Sequence, residues 1–193
     1  MRLVVAPAVM ESATYMLVEG AIEAALQGMR RERILLTGRE RLHLTIFHFG
    51  RPGDPRPADN MSIEAEKKEL TACASTIASF ELPIRAIRLT PSGVLVLLFE
   101  ISTEAEGVLQ LRQLLRHKFP SAPATQTKIL HLTLARLMDV PSVEQLERIT
   151  SACSVATHAL RTGTHHVKFM HLWHVIERAL PIIGDVHEIA LCR

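Results

Sequence analysis

At 193 residues, with 48% apolar and 22% charged side chains, the chain has a globular composition and enough length to bury a core without disulfides or a structural metal, which excludes a disordered protein. It holds no run of about 18 apolar residues, which excludes a membrane-spanning helix. A formal net charge of +2 is too small for wholesale coating of nucleic acid. Cys73, Cys153 and Cys192, odd in number and outside any CxxC pattern, exclude a disulfide framework or a thiolate zinc site and fit a reducing cytoplasm.

The apolar stretch Met1 to Met10 is short, ends in Pro7 and Ala8 and lacks a basic region followed by the apolar core of a secretion signal, and Leu3 to Val9 reads as a first strand. Ala13, Met16, Leu17, Ala21 and Ala24 recur at helical spacing until Gly28. Arg30, Arg31, Arg33, Arg39 and Arg41 form a basic segment, read as a solvated turn, ahead of a strand from about Leu42 to Phe49. The Pro- and Gly-rich loop Gly50 to Asp59 leads to a helix from about Met61 to Ser79, then to an extended segment Leu82 to Leu89 that Pro83 marks as an edge strand.

After the turn Thr90 to Gly93, Val94 to Ile101 reads as a buried strand. Thr103 with Glu106 predicts a capping box for a helix that buries Val108, Leu111 and Leu115. A proline-flanked loop, Pro120 to Pro123, precedes the strand Ile129 to Leu137. Ser142 with Gln145 repeats the capping-box pattern, and two final strands span about Val167 to Ile176 and Val186 to Cys192. Residues 3–89 and 94–176 thus share one order: strand, helix, strand, helix, strand. The first helices begin 91 residues apart, at Ser12 and Thr103, which points to an internal duplication.

The tetrapeptide Leu-His-Leu-Thr occurs at Leu42 to Thr45 and again at Leu130 to Thr133, in the third element of each half, with the histidines 88 residues apart. Alternation along a strand puts His43 with Thr45, and His131 with Thr133, on one face, while the leucines turn to a core. Two imidazoles facing a shared cleft suit phosphodiester cleavage, because a neutral imidazole takes a proton from the nucleophile while an imidazolium gives one to the departing oxygen. The threonine hydroxyls can donate to the non-bridging oxygens. The same alternation brings Arg41, Phe47 and Phe49 to the histidine face, Arg41 as a phosphate ligand and the two rings as base-stacking candidates.

Doubled H-x-T-x motifs, in the form RLHLTIFHFG and ILHLTLAR, resemble the two-histidine phosphoesterase superfamily, and within it the bacterial RNA 2′,3′-cyclic phosphodiesterases, also called 2′-5′ RNA ligases. The resemblance implies an α+β, bilobal fold across the whole chain, with two antiparallel sheets flanking a central cleft and helices outside. It also implies no cofactor and no metal, and hydrolysis of 2′,3′-cyclic phosphates to 2′-phosphomonoesters, reversible as 2′-5′ ligation. His43 and His131 would be the acid and base, Thr45 and Thr133 would bind phosphate, and Arg136 would match an arginine located just after the second motif. Strict alternation puts Arg136 on the wrong face, so its participation requires a bulge or a strand end. RNA ends or cyclic nucleotides are the implied substrates of a monomeric cytoplasmic enzyme with no membrane partner. The alternatives are a catalytically idle nucleotide-binding protein and a relative acting on another diester, such as a 2′-5′ oligonucleotide.

His165, His166, His171 and His174 crowd one segment, but alternation turns neighbouring pairs to opposite faces and predicts no metal site. His48 points away from the motif face and reads as a packed histidine.

Overall fold

The computed structural model describes residues 1–50, 60–101, 103–179 and 182–192, so most of the loop expected at Gly50 to Asp59 lies outside the described residues. Its first part runs β1 (Arg2–Pro7), α1 (Ser12–Leu26), β2 (Ile34–Leu36), β3 (His43–His48), α2 (Asn60–Ala74) and β4 (Phe80–Leu89). The second runs β5 (Val94–Phe99), α3 (Glu106–Lys118), β6 (His131–Leu137), α4 (Val143–Thr162), β7 (His166–Phe169), β8 (His171–Ala179) and β9 (Ile182–Ala190). Leaving β2 aside, the order β1-α1-β3-α2-β4 recurs as β5-α3-β6-α4-β7.

The α+β class holds, with helices packed on antiparallel strands. The strands lie along a single path, β7-β4-β5-β6-β3-β1-β8-β9, with β2 attached to β6. Instead of two separate sheets, the β4–β7 side and the β1–β9 side are joined between β3 and β6 through one registered pair, Leu44 with Leu132. β7 and β8 are separated by Met170 alone, yet they stand first and seventh along the path, so the sheet curls round. Reciprocal bonds of 2.9 Å between Val9 and Lys168 fasten the residues after β1 to β7. Helices cross between the halves as well: α1 packs on α4, α4 on β4, and α3 on β3.

Several expectations are corrected by partner geometry. The strand read as Val167 to Ile176 is broken at Met170, because β7 pairs with β4 whereas β8 pairs with β1 and β9. Pro83 is not on an edge strand. β4 pairs with β7 over Phe80 to Pro83 and with β5 from Ile84 onward, and Pro83 sits at the changeover. Its carbonyl accepts from Glu100, one residue beyond β5, and its missing N–H would point the same way, where no ladder needs it.

The capping box predicted from Thr103 is also absent. Thr103 to Ala105 form a single 3-10 turn, the Thr103 hydroxyl donates to the Glu104 carboxylate at 3.4 Å, and α3 begins at Glu106 without a side-chain cap. The second capping box forms as expected, with Ser142 accepting from the Gln145 N–H and the Gln145 side chain accepting from the Ser142 N–H. In α1 the buried face is Thr14, Val18, Ala21 and Ala25, while Met16 is exposed, one position off the expected stripe. The Thr14 hydroxyl meets the His165 Nδ1 at 2.8 Å, which draws that face inward. The basic segment is not merely a turn, since it contains β2, and α2 ends at Ala74, short of Ser79.

Candidate active site

The two motifs meet where β3 meets β6. Leu44 and Leu132 form the registered pair and both are fully buried. In an antiparallel pair, directly opposed residues share a face, so the positions flanking these leucines all turn the other way. His43 then stands across from Thr133, and Thr45 across from His131, and all four are half-buried on one face. Among the described residues neither threonine hydroxyl is engaged by a protein hydrogen bond, which leaves both able to donate to a bound anion.

From this pair the strands diverge in both directions. Beyond Leu132, β6 turns to β2, and the Thr37 N–H donates to the Leu134 carbonyl at 3.0 Å. Beyond Leu44, β3 is met by the side chain of Gln126, which accepts from the His48 N–H at 2.8 Å and donates to the His48 carbonyl at 2.9 Å. A side-chain amide thus occupies the place of a neighbouring strand.

Each motif strand carries a bulge three residues after its histidine. Val4 pairs with Phe47 and Val5 with Thr45, so Ile46 is the extra residue in β3; Leu95 pairs with Ala135 and Val96 with Thr133, so Leu134 is the extra residue in β6. A bulge advances the alternation by one and exchanges the faces of the residues beyond it. Phe47 and Phe49 therefore enter the core, 1% and 4% exposed; they pack edge-on against each other, and Phe49 packs edge-on against Phe119 while Phe47 meets it at a tilt. This corrects the expectation that they stack on a base, since rings buried to that degree offer no open face. Arg136, conversely, is turned to the histidine face and exposed, meeting the bulge condition set for it.

A family profile described as the 2′-5′ RNA ligase superfamily matches residues 18–175. The chain belongs to this superfamily. Three solved structures share its fold at low identity. A conserved protein of unknown function from Agrobacterium tumefaciens is 17% identical with a TM-score of 0.67, over 98% of this chain and 84% of that one. A Thermus thermophilus protein is 19% identical with a TM-score of 0.61, over 99% and 98%. Escherichia coli LigT complexed with phosphate is 14% identical with a TM-score of 0.54, over 100% and 99%. No curated protein matches the chain. No helix among the described residues is long and apolar enough to cross a membrane.

In this member of the superfamily the two imidazoles have related but unequal surroundings. His43 donates from Nδ1 to the Arg41 carbonyl at 2.8 Å, which fixes the ring and leaves Nε2 for a substrate. Burial holds its pKa below the ordinary value, and that hydrogen bond offsets part of the effect. His131 is lowered first by burial, which the nearby Ile129 carbonyl partly offsets, and is pushed down further by the charges of Arg112 and His43; unlike that of His43, its Nδ1 makes no hydrogen bond among the described residues. Arg41 itself ends a 3-10 turn ahead of β3. Its side chain is exposed and lies 3.6 Å from Glu40, so what it gives the first motif directly is its backbone carbonyl.

Arg112 escaped the sequence reading. It donates from Nε to the Ile46 carbonyl at 3.1 Å, and from one terminal nitrogen to the carbonyls of Thr45 at 2.8 Å and Ile129 at 3.5 Å. Burial lowers its pKa to about 10, which leaves it protonated at neutral pH. A signal for it was present: helical spacing sets residue 112 beside Val108, Leu111 and Leu115, so a cation occupies the flank of a buried stripe.

The clustered histidines are engaged separately. His165 meets Thr14, His171 lies 3.5 Å from Glu188, and His174 meets Glu66 at 3.1 Å. Among the described residues no three His, Cys, Asp or Glu side chains are grouped to hold a metal.

Proposed function

We propose that the chain is a metal-independent phosphodiesterase that opens the 2′,3′-cyclic phosphates of RNA ends or nucleotides to 2′-phosphomonoesters, with His43 and His131 as the acid–base pair. The observation that carries this reading is the shared face at the β3–β6 pair, where two lowered-pKa imidazoles alternate with two unengaged hydroxyls. His131, whose charged form Arg112 disfavours, is neutral and so free to take a proton. It takes a proton from water as the water oxygen bonds to phosphorus. The bond from phosphorus to the 3′ oxygen breaks, and His43, as imidazolium, gives that oxygen its proton. Thr45 and Thr133 donate to the non-bridging oxygens, where charge accumulates, and the exposed Arg41 and Arg136 attract the phosphate from solution. A 5′-hydroxyl in place of water gives 2′-5′ ligation by the same step. The recurrent element order and the matched bulges support treating the chain as one duplicated, bilobal catalytic domain.

The test is an assay in EDTA on the four 2′,3′-cyclic mononucleotides and on an RNA ending in a cyclic phosphate, comparing wild type with His43→Ala and His131→Ala. We expect a 2′-phosphate product and a loss of about 10²-fold or more in each variant. No turnover on any substrate, or turnover that survives both substitutions, contradicts the proposal.

A further inference from the structure

The two halves present matched motifs and matched bulges, but one group at the site has no counterpart. The segment Ser12–Leu26 that forms α1 contains no arginine or lysine, so whatever position is set against Arg112 in the first half cannot supply a guanidinium. This cation is held entirely by carbonyl oxygens. Among the described residues no carboxylate pairs with it, so its charge is not neutralised locally. Keeping an uncompensated cation partly buried costs stability.

Its placement connects both motifs. Thr45 and Ile46 are the residues at the β3 bulge, and Ile129 is the residue whose carbonyl acts on His131. β3 and β6 share only the Leu44–Leu132 pair before diverging, so backbone pairing alone leaves their relative angle weakly fixed. A planar guanidinium with several donors in a rigid fork bridges this gap in a way that a point-charge ammonium cannot.

We propose that Arg112 is a positioning residue that makes the two histidines unequal: it locks the second motif strand against the bulge of the first and places a fixed positive charge on the His131 side, so that His131 serves as base and His43 as acid. The inference rests on the proposed acid–base function. The titratable and charged groups brought to bear on His131 are Arg112 from α3 and His43 from β3, with the Ile129 carbonyl opposing them from its own strand. On His43, burial is opposed by the Arg41 carbonyl, and the two imidazoles disfavour each other's charged form mutually. A fixed cation disfavours a second charge beside it, which favours the neutral form of His131, the residue across from Thr45 and two positions after Ile129.

The experiment pairs Arg112→Met and Arg112→Lys. Imidazole titrations by NMR in the absence of substrate follow His43 and His131 separately in wild type and in each variant. In Arg112→Met the His131 titration should move to higher pH by more than that of His43, and in Arg112→Lys it should stay near the wild-type position. With a cyclic nucleotide, kcat of Arg112→Met should fall about tenfold or more with KM changed less than about threefold, and the limb of the pH profile that reports the base should move to higher pH. Arg112→Lys should lose kcat while keeping that limb in place. An unchanged His131 titration in Arg112→Met overturns the proposal, as does a drop in activity that only tracks a drop in melting temperature with both pH limbs unmoved. Should Arg112→Met fail to fold, Arg112→Gln replaces it under the same criteria. Because the titration needs no turnover, the absence of activity on cyclic phosphates would overturn the proposed reaction while the role of Arg112 is still decided.

Discussion

Burial acts on both imidazoles in the same direction, and this links the site to folding. His43 and His131 bind protons less readily in the folded chain than in the unfolded one. Below their ordinary value of 6.5 the unfolded chain therefore takes up protons that the folded chain refuses. The stability these groups contribute is complete above that pH and is lost as pH falls through the folded values. We expect the melting temperatures of His43→Gln and His131→Gln to fall less than that of wild type between about pH 7.5 and about pH 5.5. Parallel falls in all three proteins would show that folding does not disfavour protonation of the imidazoles. At this scale the sequence was informative for a simple reason. His43, Thr45, His131 and Thr133 all precede the bulge in their strands, so strict alternation applies to them. Phe47, Phe49 and Arg136 come after it, and for all three strict alternation returns the wrong face.

A bulge adds one residue to a strand without altering its composition, and whether it forms depends on the partner strand, which is remote in sequence. Ile46 and Leu134 were therefore invisible as bulges, although each lies in a motif that was easily seen. Two signals internal to a helix were read well, the Ser142 capping box and the Val108, Leu111, Leu115 stripe, whereas the equally local Thr103 box did not form. β2 escaped because three residues show no periodicity, and the break at Met170 escaped because only the choice of pairing partners distinguishes β7 from β8. The bulge in β3 also has an energetic consequence. By committing the Phe47 ring to a cluster with Phe49 and Phe119, it makes that ring structural. Phe47→Ala should cost about 3–5 kcal/mol in urea unfolding, with KM for a cyclic nucleotide unchanged. A raised KM at full stability would return the ring to substrate binding.

Across the whole molecule, a buried charge relay fastens distant parts of the chain. Arg2 in β1 meets Glu66 in α2 at 2.6 Å, and the other carboxylate oxygen of Glu66 meets the His174 Nε2 in β8 at 3.1 Å, with His174 only 1% exposed. Removing the shared carboxylate leaves a buried imidazole and a half-buried guanidinium without their partner, so Glu66→Ala should destabilise by about 3–5 kcal/mol in urea unfolding. A loss below about 1 kcal/mol would mean that solvent replaces the carboxylate freely.

The strand path has a further consequence, for the order in which the protein is made. β1, at residues 2–7, has β8, at residues 171–179, as one of its two partners, and β4, from the first half, is paired only with strands of the second. During synthesis the first motif strand thus emerges long before the sheet around it can close, and neither half can complete its own hydrogen bonding. The nascent chain carries exposed strand edges until nearly all of it has left the ribosome, so its principal hazard is association with other chains before residue 171 appears.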